Sequence, residues 1–139
     1  MSHGLHEKYF MHYLHIMENP LPELQEYFDA EREYLKKHIG PESSVLDVGC
    51  GNGRNAKDIA PLVASVTALD IDEQMVAAAA TNLAGCKNVT LLHEDFFLFQ
   101  SANQFDLTIA TLNTLGSPMI HAFKRPAFLK RMAQCTKSW

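Results

Sequence analysis

A doubly wound α/β fold with a mostly parallel sheet is the class this sequence predicts, and three observations carry it. The stretch Ser44-Val-Leu-Asp-Val-Gly-Cys-Gly-Asn-Gly-Arg54 joins an apolar run to a glycine-dense turn and then a helical pattern, the strand, tight loop and helix start of a βα unit. Further short apolar runs at 65–70, 88–93 and 105–112 alternate with helical stretches, the pattern of a parallel sheet covered on both faces. Asp70 stands at the end of the second run, 17 residues after Gly53, where such a fold needs an acid to accept both hydroxyls of a ribose.

Composition bounds the reading. The 139 residues are 47% hydrophobic and 20% charged, a globular composition of single-domain size. A formal net charge of -4 offers no cationic field for nucleic acid or anionic membrane, so both are disfavoured as partners. Cys50, Cys86 and Cys135 show no C-x-x-C spacing, which argues against a disulfide framework or a cysteine zinc site and for reduced thiols in a cytoplasmic protein. The chain shows neither an apolar run of membrane-spanning length nor an apolar signal core after Met1.

Taken in order, residues 5–17 are dense in aromatic and aliphatic side chains and read as a helix whose buried face the pattern leaves open. Asn19-Pro20-Leu21-Pro22 breaks it, and 23–39 reads as a second helix with Leu24, Tyr27, Phe28, Leu35 and Ile39 near one stripe, ended by Gly40-Pro41. This divides the chain into helices over 1–40 and an α/β domain over 41–139. His12 and His15 share a helical face, but spacing places no third ligand, so no metal site is expected.

At the glycine turn, positive φ and the lack of a Cβ let a ligand approach the backbone, and the next helix offers unpaired N–H groups to a carboxylate or phosphate. The dinucleotide fingerprint G-x-G-x-x-G would need glycine at position 54, which is Arg54. The pattern is instead G-x-G-x-G, preceded by Asp47, an acid inside an apolar strand that is costly to bury without a purpose. With Asp47 the run resembles motif I of the class I S-adenosylmethionine-dependent methyltransferases, in which the acid sits beneath the glycine loop near the amino end of the methionine moiety.

That resemblance implies roles further along. A helix over 55–62, interrupted by Pro61, leads to the strand 65–70, and Asp70 matches the family's motif II acid. Ile71-Asp72-Glu73-Gln74-Met75 resembles the loop in which Ile71 packs on the adenine, while Asp72 also makes a good N-cap. The helix 75–83 is alanine-rich, with Gly85 as its stop. After the strand 88–93, Asp95 corresponds to the acid that accepts a hydrogen bond from the adenine amino group, with Phe96 as an apolar wall; read alone, such an Asp is a turn residue. The cofactor set implied is Asp47, Gly49, Cys50, Gly51, Asn52, Gly53, Asp70, Ile71, Met75, Asp95, Phe96 and Thr111. Helices before motif I form a lid in this family, so Tyr27, Arg32 and Tyr34 can face the ligand or simply pack and be solvated.

The strand 105–112 ends at Asn113-Thr114-Leu115, which departs from Asn-Pro-Pro-aromatic and is similar to the versions in small-molecule N- and O-methyltransferases. Asn113 either orients the acceptor or caps the next segment. A final helix covers 127–136, with Phe128, Leu129 and Met132 apolar. Family members continue with a fifth strand, another helix and an antiparallel pair in the order 3-2-1-4-5-7-6, so this chain is expected to hold the first four strands. Its fourth strand would then be an exposed edge, and the chain is expected to self-associate into a homo-oligomer through that strand or through exchanged elements unless the N-terminal helices fold over it.

The function implied is methyl transfer from S-adenosylmethionine to a small-molecule acceptor, leaving S-adenosylhomocysteine. Two rivals remain: a non-catalytic cofactor-binding or interaction module lacking the acceptor half, and a nucleotide-dependent oxidoreductase, against which Arg54, Asp47 and Asp95 argue.

Overall fold

The computed structural model describes residues 2–112, 114–117 and 120–138, the side chains of residues 2–6 excepted. The chain divides into two units, Met1–Lys37 and His38–Trp139.

The first unit holds helices α1 (Ser2–Glu18) and α2 (Pro22–Lys36). Pro22 opens α2, where its missing N–H costs no hydrogen bond. Buried Phe28 and Leu35 lie two turns apart on one face, while Arg32 pairs with Asp29 and Lys36 with Glu33 across single turns. The helix stops three residues short of Ile39. The Lys37 amide turns back to Tyr34, and Pro41 disfavours helical backbone at the preceding Gly40.

The second unit runs β1 (Ser44–Val48), α3 (Arg54–Ile59), a 3-10 turn (Ala60–Leu62), β2 (Ser65–Asp70), α4 (Glu73–Asn82), β3 (Val89–His93), β4 (Leu107–Ile109), a second 3-10 turn (Ala122–Lys124) and α5 (Arg125–Cys135). The four strands form one sheet ordered β3-β2-β1-β4, every pair parallel, with Asp47 opposite both Ala68 and Ile109. This is the doubly wound class that the alternating pattern predicts. Parallel pairing puts all four carboxyl ends at one edge of the sheet, and the order reverses between β1 and β4.

The core gathers Leu46, Val48 and Leu69 from the sheet with Phe96, Phe99, Phe105 and Phe128. Each such side chain contributes about 1.5–3 kcal/mol by leaving water. Phe96 and Phe128 meet edge to face at 5.0 Å, so α5 is seated on the turn that follows β3. Arg131 reinforces that seat by donating to the carbonyls of Phe96 and Phe99.

Three further boundaries differ from the pattern reading. The helix after the glycine turn is α-helical only to Ile59 and then tightens to a 3-10 turn, because Pro61 has no N–H to continue the ladder. Gly85 is not the left-handed stop of α4: the helix closes through the Leu83 amide on the Ala79 carbonyl, and the described glycines with positive φ are Gly49, Gly51 and Gly53. The apolar run 105–112 pairs as a strand only over 107–109, since Leu112 takes φ 52° and the Thr114 amide closes a turn onto Thr111.

The outer edge of this strand is also not wholly open. Phe105 and Thr136 form a parallel bridge, with the Phe105 amide on the Cys135 carbonyl at 2.7 Å and the Lys137 amide on the Phe105 carbonyl at 2.9 Å. Residues past α5 thus begin a fifth line of pairing beside β4. Lys137 also holds Asp106 at 2.8 Å, and Asp106 accepts the Ser44 amide and hydroxyl at the start of β1.

Candidate functional site

The glycine turn leaves β1 with its first two amides, Gly49 and Cys50, both donating to the Leu69 carbonyl, which bends the loop across the end of β2. Gly49 lies at φ 69°, and a Cβ there would meet the Thr114 methyl at 2.5 Å. A side chain at this position would therefore be strained in its backbone and crowded by Thr114.

Asp70 then fixes the loop from the other side. Its Oδ2 accepts the Gly51 N–H at 2.8 Å and its Oδ1 accepts the Asp72 N–H at 2.9 Å. Each oxygen keeps a second lone pair, and the residue is only partly buried. Asp72 caps α4 by accepting from the Gln74 and Met75 amides, so Met75 stands in the first turn of that helix. The next contact comes from β3: the His93 ring Nε2 lies 3.0 Å from the Ile71 carbonyl, which ties exposed Ile71 to the neighbouring strand end.

Beneath the loop, Asp47 is 1% exposed. Burial, and then the negative charges of Asp47 and Asp70, push the Cys50 thiol far above its ordinary range. Asn52 is buried, with its carbonyl accepting from Asn82 and its side chain from the Arg54 amide. Gly53, at φ 80°, lies where a Cβ would meet Ala79 of α4 and Leu83 just past it.

Asp95 accepts the Phe97 amide on its side chain and the Leu98 and Phe99 amides on its carbonyl, the geometry of a turn residue at the end of β3. Phe96 is 4% exposed and its ring belongs to the core, so it backs this turn rather than presenting a face to solvent. Past β4, the Thr111 hydroxyl accepts from the Asn55 side chain at 2.7 Å. Asn113 lies outside the described residues.

Gly49, Gly51, Asp70, Ile71, Met75, Asp95 and Thr111 thus stand, partly or well exposed, at or just after the carboxyl ends of the four strands. Open α/β sheets bind ligands at that edge. Three residues of this edge escape pattern reading: Asn55, His93 and Thr114. Among the described residues no group of three or more His, Cys, Asp or Glu could hold a metal ion, and no helix is long and apolar enough to cross a membrane.

Known proteins share this arrangement. The family described as "Methyltransferase domain" matches residues 45–138. The chain is 35% identical over 80 residues to ribosomal protein L11 methyltransferase of Thermotoga petrophila, covering 57% of this chain and 30% of that protein. It is 32% identical over 69 residues to ribosomal RNA small subunit methyltransferase A of Enterococcus faecalis, covering 48% of this chain and 23% of that one. The matched part therefore spans less than a third of these relatives. Among solved structures, the DhpI–SAH complex superposes with a TM-score of 0.73 at 24% identity, covering 99% of this chain and 66% of DhpI. With 45–138 matched across all four strands and α5, the chain belongs to the methyltransferase domain family, in its doubly wound class I form.

Proposed function

We propose that this chain binds S-adenosylmethionine at the carboxyl edge of its sheet and serves transfer of the methyl group to a small-molecule acceptor, releasing S-adenosylhomocysteine. The observation that carries this reading is the Asp70 carboxylate, fixed by the Gly51 and Asp72 amides with one lone pair of each oxygen to spare. That arrangement fits a ribose diol. The side-chain-free loop at Gly49 and Gly51 fits close approach of the methionine moiety, Ile71 and Met75 fit the adenine faces, and Asp95 fits its amino group.

The cofactor supplies a methyl already activated by its sulfonium. The residues of the chain accordingly bind, align and exclude water, and the proposal requires no strong base. Asn113 remains the residue proposed to orient the acceptor. The net charge of -4 supports a small acceptor over a nucleic acid, although the relatives named above are methyltransferases of a ribosomal protein and a ribosomal RNA. Three free thiols support a reducing, cytoplasmic setting. The β4 edge beyond the Phe105 bridge supports pairing with a second copy of the chain, which sedimentation at high concentration tests.

Isothermal titration of the chain with S-adenosylhomocysteine tests the central reading. A micromolar-range constant, about -8 kcal/mol, is expected. Binding of NADH with none of S-adenosylhomocysteine would overturn it. Methyl transfer from labelled S-adenosylmethionine into a small-molecule extract separates the enzyme from a non-catalytic module.

A further inference from the structure

The segment after β4 meets the glycine turn and the helix after it at two points, one a hydrogen bond and one a packing contact. Asn55, in the first turn of α3, is 4% exposed, and its Nδ2 donates to the Thr111 hydroxyl at 2.7 Å. Across the turn, the Thr114 hydroxyl donates to the Thr111 carbonyl at 2.9 Å and lies 3.5 Å from the Gly49 carbonyl, with its methyl 2.5 Å from where a Gly49 Cβ would sit. Between the two points Leu112 takes φ 52°, a strained conformation that a leucine keeps only where its surroundings hold it.

We infer that Asn55 is a positioning residue: it latches Thr111, at the end of β4, onto the back of the glycine turn, so that filling the turn with cofactor stiffens the wall the acceptor meets. The inference rests on the functional reading above and extends it from cofactor recognition to acceptor alignment. Asn55 follows Gly53 by two residues, so its backbone moves with the loop, while its side chain is bonded across 56 residues to the end of β4. Its Oδ1 is buried and meets no donor among the described residues. The side chain is thus committed to this bond without being fully satisfied by it, which marks a coupling contact more than a packing one.

The test is chymotrypsin cleavage of the whole chain, read by mass spectrometry after Leu112 and Leu115, with cleavage after Leu98, 71% exposed in a separate turn, as internal reference. Local opening governs such rates. In the free chain, Asn55→Ala should raise cleavage after Leu112 and Leu115 roughly three- to tenfold, the factor lost with one hydrogen bond, and leave Leu98 unchanged. Saturating S-adenosylhomocysteine should slow cleavage after Leu112 and Leu115 in the wild type. In Asn55→Ala it should still bind on titration, within about threefold of wild type, but no longer protect those bonds.

Thr111→Val, which keeps the shape and removes the hydroxyl, should reproduce the free-chain result, and the double variant should be no worse than either single one. Unchanged free-chain cleavage in both single variants, or full protection of Asn55→Ala by S-adenosylhomocysteine, overturns the latch. Absence of S-adenosylhomocysteine binding to the wild type overturns the functional reading instead, and the free-chain cleavage rates still decide whether the latch exists.

Discussion

Asp70 Oδ2 accepts the Gly51 amide at 2.8 Å, so the acid at the end of β2 shapes the middle of the glycine turn before any ligand arrives. Asp70→Ala removes the acceptor of two backbone amides, Gly51 and Asp72. Unfolding free energy should fall by about 1–3 kcal/mol. Affinity for S-adenosylhomocysteine should fall at least tenfold, the loss expected with charge-assisted hydrogen bonds to a diol. Asp70→Asn keeps one acceptor oxygen and should lie between. Titration calorimetry and urea unfolding read the two effects separately, and unchanged affinity in Asp70→Ala would remove this residue from the site.

Gly53→Ala tests the other end of the turn. The position combines φ 80° with a Cβ that would sit 2.9 Å from the Leu83 Cδ1, so alanine meets backbone strain and a displaced leucine together. A loss of about 1–3 kcal/mol follows. Gly85→Ala is the control: it has open space and no positive φ, and should leave stability unchanged or raise it by up to about 1 kcal/mol. Equal effects at the two glycines in thermal unfolding would sink the argument.

The carboxyl edge of the sheet is legible in the sequence because its devices are local. Glycines at alternate positions after an apolar strand, Asp47 within that strand and Asp70 at the end of the next all announce themselves by spacing. The partners that organise them are not local. Asn55 finds Thr111 across 56 residues and His93 finds Ile71 across 22, so neither leaves a periodic trace. The fourth strand shows the opposite failure. Its apolar run is real, yet Ala110 to Leu112 serve a turn and the core instead of the ladder, because burial selects apolar residues without specifying which backbone carries them. The bridge at Thr136 is hidden for a simpler reason: it is a single pairing, and one pairing has no alternation to read.

Cys50 provides a chemical test of how deeply the turn is folded over Asp47. Its thiol is buried, and burial together with the Asp47 and Asp70 charges holds it protonated through ordinary pH; Cys86 is partly exposed. Cys135, also raised by burial, carries an opposing pull from Arg131. Iodoacetamide at pH 8 should therefore modify Cys86 first, Cys135 more slowly and Cys50 last, with the Cys50 rate set by unfolding of the turn. Peptide mapping over a time course reads the order. Early modification of Cys50 would mean that the turn is open in solution.

Asp106 joins the start of β1 to the residues past α5, and its pH dependence tests that junction. The Lys137 ammonium first, then the Ser44 amide and hydroxyl, hold its carboxyl down to about 2 in the folded chain, against about 3.9 in an unfolded one. A folded value below the unfolded one means that the stabilisation is fully present above about pH 4 and is lost as pH falls toward 2. Asp106→Asn should therefore be less stable than wild type by a constant amount between pH 5 and 7, with the difference shrinking below pH 4. Added salt should narrow it throughout, since the ion pair is open to solvent. Lys137→Gln keeps the Ser44 contacts and loses the largest cause of the shift, so its acid limb should move to higher pH than that of wild type. Urea unfolding at pH 6, 4 and 3 reads all three chains. A gap between wild type and Asp106→Asn that stays the same from pH 6 to 3 would show that Asp106 acts through its shape and not its charge, and would leave the segment past α5 without this electrostatic tie to the sheet.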